Sequence, residues 1–171
     1  VGERPRPKDP AADAVGYHVR TQVSAILKQD QRIRRHLPDS VHQYRVAARR
    51  LRSVLQAFAP LVDDQWARDL RTELGWIASV LSQSRDREVL EARLIDAVRA
   101  LPPVADGAAA LVVIQQHLDA ELAEAKASID TAMASPRYHD LMATLHAAAA
   151  HPQTTELATG KASAVLPPLA Q

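Results

Sequence analysis

Eleven prolines punctuate this chain, and they fall between stretches whose apolar residues recur at every third and fourth position. Proline lacks the backbone donor that a helix interior requires, and its ring clashes with the preceding turn, so it marks where helices begin and end. Glycine is scarce, alanine is abundant, and no stretch alternates apolar with polar residues for long, so nothing signals a sheet. The pattern predicts an all-α fold, an antiparallel bundle of about five to six helices joined by short turns.

The borders follow from the punctuation. Residues 1–10, with Pro5, Pro7 and Pro10, read as a proline-rich linker or disordered N-terminus, and 11–171 as one helical domain. A first helix runs from about Ala11 to His36, buries Val19, Val23, Ile26, Leu27 and Ile33, and stops before Pro38. A second opens at Ser40, with Gln43 in capping-box position, and ends near Phe58 before Pro60. A third spans Asp64 to Ser82, with a turn at Ser84-Arg85-Asp86, and a fourth runs from Asp86 to Leu101 ahead of Pro102 and Pro103. Asp106 caps a fifth that reaches about Ala134. Ser135 followed by Pro136 opens a sixth, a cap with proline at the first helical position. After Pro152 the periodicity fades and the end reads as loose.

Several functional classes are excluded at this level. The 21 basic side chains nearly balance 20 acidic ones, which argues against a general polycation. No run of about 18 apolar residues exists to span a membrane, and the polar start is no signal peptide. Without cysteine there is no disulfide, thiolate metal site or cysteine nucleophile, which fits a cytoplasmic protein. Neither a phosphate-binding P-loop nor a GxGxxG turn is present. His139, His146 and His151 lack the carboxylate or HExxH context of a zinc site, and Trp66 and Trp76 read as core. No catalytic constellation, metal site or cofactor site is expected, so the chain reads as a non-enzyme.

The balanced total hides a segregated charge. Between Gln31 and Arg52 lie seven arginines and one acid, Asp39. Advancing about 100° per residue from His42 places Arg45 at about −60°, Arg49 at about −20° and Arg52 at about −80°, so the four share one arc. Arg50 falls off it, at about +80°. Leu51, Val54, Leu55 and Phe58 lie on the opposite side, so the helix turns one face to a core and the other to something anionic. The row is about 15 Å long. Like charges at this spacing repel by about a few tenths of a kcal/mol per pair, and no acid interleaves to relieve them. Guanidinium forks in a row suit a multivalent anion, because each can hold phosphate oxygens bidentately. His42 sits in the first turn, where free backbone N–H groups also favour anions. A polyanion beside its ring favours the protonated form, which donates at both nitrogens.

The run Ser40-Val41-His42-Gln43-Tyr44-Arg45-Val46-Ala47-Ala48-Arg49-Arg50-Leu51-Arg52, continued by Ser53-Val54-Leu55, resembles the VHxxRVxxRRLRxxL signature of CHAD domains, the conserved histidine α-helical domains. Leu74 through Arg85-Asp86 and Val89-Leu90 resembles the family's later element, a leucine-rich helix ending in an Arg-Asp pair, and Ser135-Pro136-Arg137-Tyr138 is similar to a later helix start. The resemblance implies a bacterial module that binds inorganic polyphosphate and associates with polyphosphate granules. It often accompanies a CYTH-type triphosphate-processing domain, to which residues 1–10 would be the linker. It assigns the anion to His42, Arg45, Arg49, Arg50, Arg52 and Arg85. Gly75 departs from it, standing where relatives carry a basic residue, and Ser82 replaces their glycine before the Arg-Asp turn.

The resemblance also implies two pseudo-symmetric helical halves, of which this chain carries the first. Either the chain is a truncated one, or a homodimer replaces the missing symmetry. Beside the polyphosphate reading stand two others that use the same face. One is a nucleic-acid-binding helical domain that grips backbone phosphates; the other is a scaffold for an acidic protein surface. Against nucleic acid, no asparagine or aromatic side chain interleaves with the arginines to read or stack on bases.

Overall fold

Apolar residues at three- and four-residue spacing set the helices, and their stripes meet in one core. The computed structural model describes the backbone of residues 4–99 and 107–169, and the side chains of 4–82, 112 and 116–166. Six helices follow in order: α1 (Ala11–Ile33), α2 (Ser40–Ala57), α3 (Asp64–Arg99), α4 (Gly107–Ala134), α5 (Pro136–Ala150) and α6 (Ala162–Leu169). Single turns of 3-10 helix lie at Ala59–Leu61 and Glu156–Thr159, and no strand is present among the described residues. The all-α bundle is as the periodicity predicts.

α1 buries Val15, Val19, Val23, Ile26 and Ile33 against Tyr44, Ala48, Leu51 and Leu55 of α2, and the two helices form a hairpin. α3 returns alongside α2, contributing Leu70, Leu74, Ile77 and Leu81. α5 closes the core with Tyr138, Leu141 and Leu145, packed on α1, α3 and α4. One polar network crosses this core. Tyr44 and Tyr138 are fully buried, and the Tyr138 hydroxyl donates to Asp30 Oδ1 at 2.8 Å, with the Tyr44 hydroxyl 3.4 Å away. Burial, foremost, holds both phenols above their ordinary range, so both remain neutral hydroxyls at physiological pH. The network joins α1, α2 and α5, and so fixes which side of α2 faces inward.

The helix borders differ from expectation in instructive ways. α1 ends at Ile33 rather than His36, because the chain turns through left-handed backbone at His36 (φ 50°) and Asp39 (φ 62°). The capping box expected at Ser40 does not form. Asp39 occupies the cap position, Gln43 donates its side-chain amide to the Asp39 carboxylate at 2.8 Å, and Ser40 turns its hydroxyl back to donate to the Leu37 carbonyl at 2.6 Å. Asp63, in contrast, caps α3 by accepting the Trp66 N–H at 2.8 Å.

The largest correction is at the expected turn after Ser82. α3 runs unbroken to Arg99, so the third and fourth predicted helices are one. Ser82 through Asp86 contains neither proline nor glycine, and Ser82 satisfies its hydroxyl on the Ala78 carbonyl at 2.8 Å without leaving the helix. The side chains of Ser84, Arg85 and Asp86, the Pro102–Pro103 break and the Asp106 cap lie outside the described residues.

Ser135 and Pro136 open α5 as predicted, with the Ser135 hydroxyl accepting the Tyr138 N–H at 3.2 Å. The stretch after Pro152 is structured: Val62 and Thr154 form a bridge, and the turn before α6 pairs with the start of the chain. There the Ala162 N–H donates to the Asp9 carbonyl at 2.9 Å, and that of Ala11 to the Gly160 carbonyl at 2.8 Å.

Candidate functional site

α2 and α3 lie antiparallel in a register that the contacts define. Arg52 stands over Gly75, its Cζ 3.9 Å from where a Cβ would sit, and one turn further along α2 Gln56 faces Arg71. Stepping back along α2 by turns therefore means stepping forward along α3 by turns. The result is a cleft of about 500 Å³ walled by His42, Arg45, Val46, Arg49 and Arg52 of α2 and floored by Gly75, Ala78, Ser79 and Ser82 of α3.

The local sequence explains the wall. Leu51 and Leu55 are buried at 0% and 1% exposure on the core side, which turns the opposite arc of α2 outward. His42, Arg49 and Arg52 are exposed there, and Arg45 is half-buried with its head toward α3. Four of the predicted site residues thus meet in one cleft. Arg50 is exposed but does not line it, in keeping with its position off the arc. Arg85 belongs to α3, and the register brings its backbone position level with His42; its side chain is outside the described residues.

The floor is what sequence reading left out. Gly75, Ala78, Ser79 and Ser82 recur at three and four, so a stripe of small side chains faces the arginines. That spacing is a legible signal, and it lets a ligand approach the α3 backbone closely.

Electrostatics separate this cleft from the rest of the surface. Elsewhere, three arginines have carboxylate partners, Arg34 with Asp30 at 3.2 Å, Arg68 with Asp64 and Arg137 with Glu73 at 2.7 Å, while Arg32 donates to the Pro38 carbonyl and Arg71 to the Gln56 amide. Among the described residues none pairs or hydrogen-bonds with the side chain of Arg45, Arg49, Arg50 or Arg52, and α2 contains no acid. The arrangement can do one thing well, which is to hold several anionic oxygens in a line. A smaller cavity of about 330 Å³ on the other side of His42 is lined by Asp39 and Asp130 as well as His36 and Lys126. Its mixed charge suits an anion less than the all-basic cleft does.

The predicted core tryptophans are half-buried, and both pack against the core. Trp76 also carries the Arg137 guanidinium 4.2 Å above its ring. Their position on α3, away from the arginine row, removes them as stacking platforms for a ligand in the cleft. His139, His146 and His151 are exposed on and after α5. No described helix is long and apolar enough to cross a membrane.

Comparison with known proteins gives a consistent picture. The family model described as CHAD domain matches residues 18–171. Two uncharacterized proteins of Mycobacterium tuberculosis, from strains CDC 1551 / Oshkosh and ATCC 25618 / H37Rv, are each 39% identical over 105 residues, which is 60% of this chain and 20% of theirs. The matched stretch is thus about a fifth of those relatives. Among solved structures, PptA from Streptomyces chartreusis superposes with a TM-score of 0.74 over 88% of this chain and 53% of its own, at 24% identity, a likeness of fold.

Proposed function

This chain belongs to the CHAD-domain family, and from that premise we propose that its α2–α3 cleft binds inorganic polyphosphate. The observation that carries the reading is the row Arg45, Arg49 and Arg52, with His42 at its head, set over a floor of small side chains with no described carboxylate to neutralise it. A linear chain of phosphates matches such a row in charge and in the bidentate geometry of guanidinium. The proposed role is binding rather than turnover. The described lining offers cationic donors and small hydroxyls, and no carboxylate that could serve as a base. By the same reading the ligand would carry the domain to polyphosphate granules, and a CYTH-type domain in the same full-length protein is the companion the family suggests.

Nucleic acid shares the phosphate chemistry and is the competing ligand. Apart from the His42 imidazole at its head, the wall of the cleft presents no aromatic or amide side chain to a base, which favours a ligand that is phosphate throughout. Isothermal titration with long-chain polyphosphate and with duplex DNA, at one salt concentration, tests the choice. Both interactions weaken with salt, so comparison at fixed salt is required. Polyphosphate binding at least about tenfold tighter per phosphate than DNA is the expected result. Equal or tighter DNA binding would overturn the reading in favour of a nucleic-acid module.

A further inference from the structure

We propose that Arg71 is a further ligand-binding residue, parked on Gln56 in the free domain and handed to a phosphate one helical turn beyond Arg52. The inference rests on the polyphosphate reading of the α2–α3 cleft. It lengthens that site and narrows the ligand to an extended chain.

The placement comes from the register. Arg71 lies one turn before Gly75 on the side of α3 that floors the cleft, and Gln56 lies one turn after Arg52 on the side of α2 that walls it. Gln56 Oε1 accepts from Arg71 Nη2 at 3.1 Å, so this pair closes the end of the groove that Arg52 and Gly75 begin. A path from His42 to Arg71 covers about 21 Å along α2, against about 15 Å for the row from His42 to Arg52.

The Arg71 guanidinium is held without a described carboxylate. Arg34, Arg68 and Arg137 each meet a carboxylate. The described partner of Arg71 is a neutral amide, and its Nε is buried without an acceptor. A buried donor without an acceptor is unfavourable, and a neutral hydrogen bond recovers little of the deficit. A phosphate would offer a charged acceptor with several oxygens to the same fork, an interaction roughly twice as strong as the neutral bond it replaces. Gln56 thus holds Arg71 in place without neutralising it, and exchange to the ligand is favourable. A chain of three phosphates is too short to reach His42 and Arg71 together, so the full site takes a longer polymer.

A purely structural alternative makes Arg71 and Gln56 a strut between α2 and α3, and paired variants separate the two. Titrate the full chain, Arg71→Gln and Gln56→Ala with long-chain polyphosphate across a salt series, and record each melting curve. Arg71→Gln is expected to bind about tenfold more weakly, with a salt dependence shallower by about one phosphate contact. Gln56→Ala is expected to bind within about twofold of the parent or tighter, since it frees the arginine. Equal weakening by both variants, with melting temperatures lowered together, would show a strut and overturn the inference. So would unchanged affinity in Arg71→Gln while Arg45→Ala with Arg49→Ala still abolishes binding. If Arg71→Gln does not fold, Gln56→Ala decides alone, since weaker binding there contradicts parking. Absence of polyphosphate binding by the parent chain would overturn the cleft reading itself, and the inference with it.

Discussion

Helix α3 shows two faces to two neighbours, and they treat arginine in opposite ways. Toward α5, Glu73 accepts two hydrogen bonds from Arg137, at 2.7 and 3.0 Å, while the Trp76 ring lies under the same guanidinium. Toward α2, Gly75, Ala78, Ser79 and Ser82 offer Arg45, Arg49 and Arg52 small side chains and no carboxylate. An arginine paired with an acid and laid on an aromatic ring is complete within the fold. A row of arginines set over glycine, alanine and serine has its charge unmet by any described residue, and an outside anion would complete it. The contrast between the paired arginine and the arginines proposed to bind the ligand is therefore one of partners, not of exposure, since Arg137 is itself exposed.

The strongest way to break the contrast is to remove the unmet charges. Arg45→Ala combined with Arg49→Ala is expected to reduce polyphosphate affinity about a thousandfold, since each lost charge-assisted contact is worth about 1.5–3 kcal/mol. Helicity by circular dichroism and the melting temperature should stay close to those of the parent, because neither side chain has a described partner in the fold. A comparable loss of stability would place these arginines with Arg137, among the structural ones.

Leu51→Ala sharpens the comparison from the other side of the same helix. Leu51 is fully buried between α2 and its neighbours, so truncation should cost about 2–5 kcal/mol in denaturant unfolding. The fraction that remains folded should still bind polyphosphate. One helix then separates into a half that holds the fold and a half that meets the ligand.

That division was legible in the sequence because both halves obey the same 3.6-residue period. The stripe of α1, the apolar side of α2 and the Ser135–Pro136 start all follow from spacing and punctuation. What escaped depends on partners remote in the chain or on the choice between equivalent local options. Tyr138 finds Asp30 across 108 positions, and no local pattern announces it. Ser40 could accept from its own helix or donate backward to Leu37, and the left-handed turn at Asp39 selects the second. Ser82 to Asp86 reads as a cap in isolation, yet without proline or glycine it has nothing to stop a helix already in progress. The small-residue floor was written at helical spacing, but its meaning appears only when α2 is laid across it.

Gly75 offers a milder test at the centre of that floor. A Cβ there meets only the Arg52 guanidinium carbon, at an ordinary 3.9 Å. Gly75→Ala should therefore raise stability by about 1 kcal/mol through helix propensity alone, with polyphosphate affinity changed by less than about twofold. Gly75→Arg adds a further guanidinium to the row and should tighten polyphosphate severalfold. Weaker binding in the arginine variant would mean that the floor must stay empty for the ligand to enter.

The smallest effect belongs to the pair on the other face. The hydrogen bond from Arg137, foremost, holds the Glu73 carboxyl below its ordinary value of 4.5. A carboxyl depressed in the folded state stabilises the fold above its unfolded pKa, and that stabilisation fades as pH falls through the lower, folded value. Glu73→Gln should thus melt slightly below the parent at neutral pH, and the gap should close as the pH is taken well below 4.5. Both partners are partly exposed, so the neutral-pH difference is small and screened by salt. Polyphosphate affinity should not change, because the pair lies across α3 from the cleft. A loss of affinity in Glu73→Gln would mean that the two faces are coupled through α3, with the Glu73–Arg137–Trp76 stack setting the position of the floor. A melting gap that persisted unchanged at acid pH would show that the pair contributes by packing on Trp76 rather than by charge.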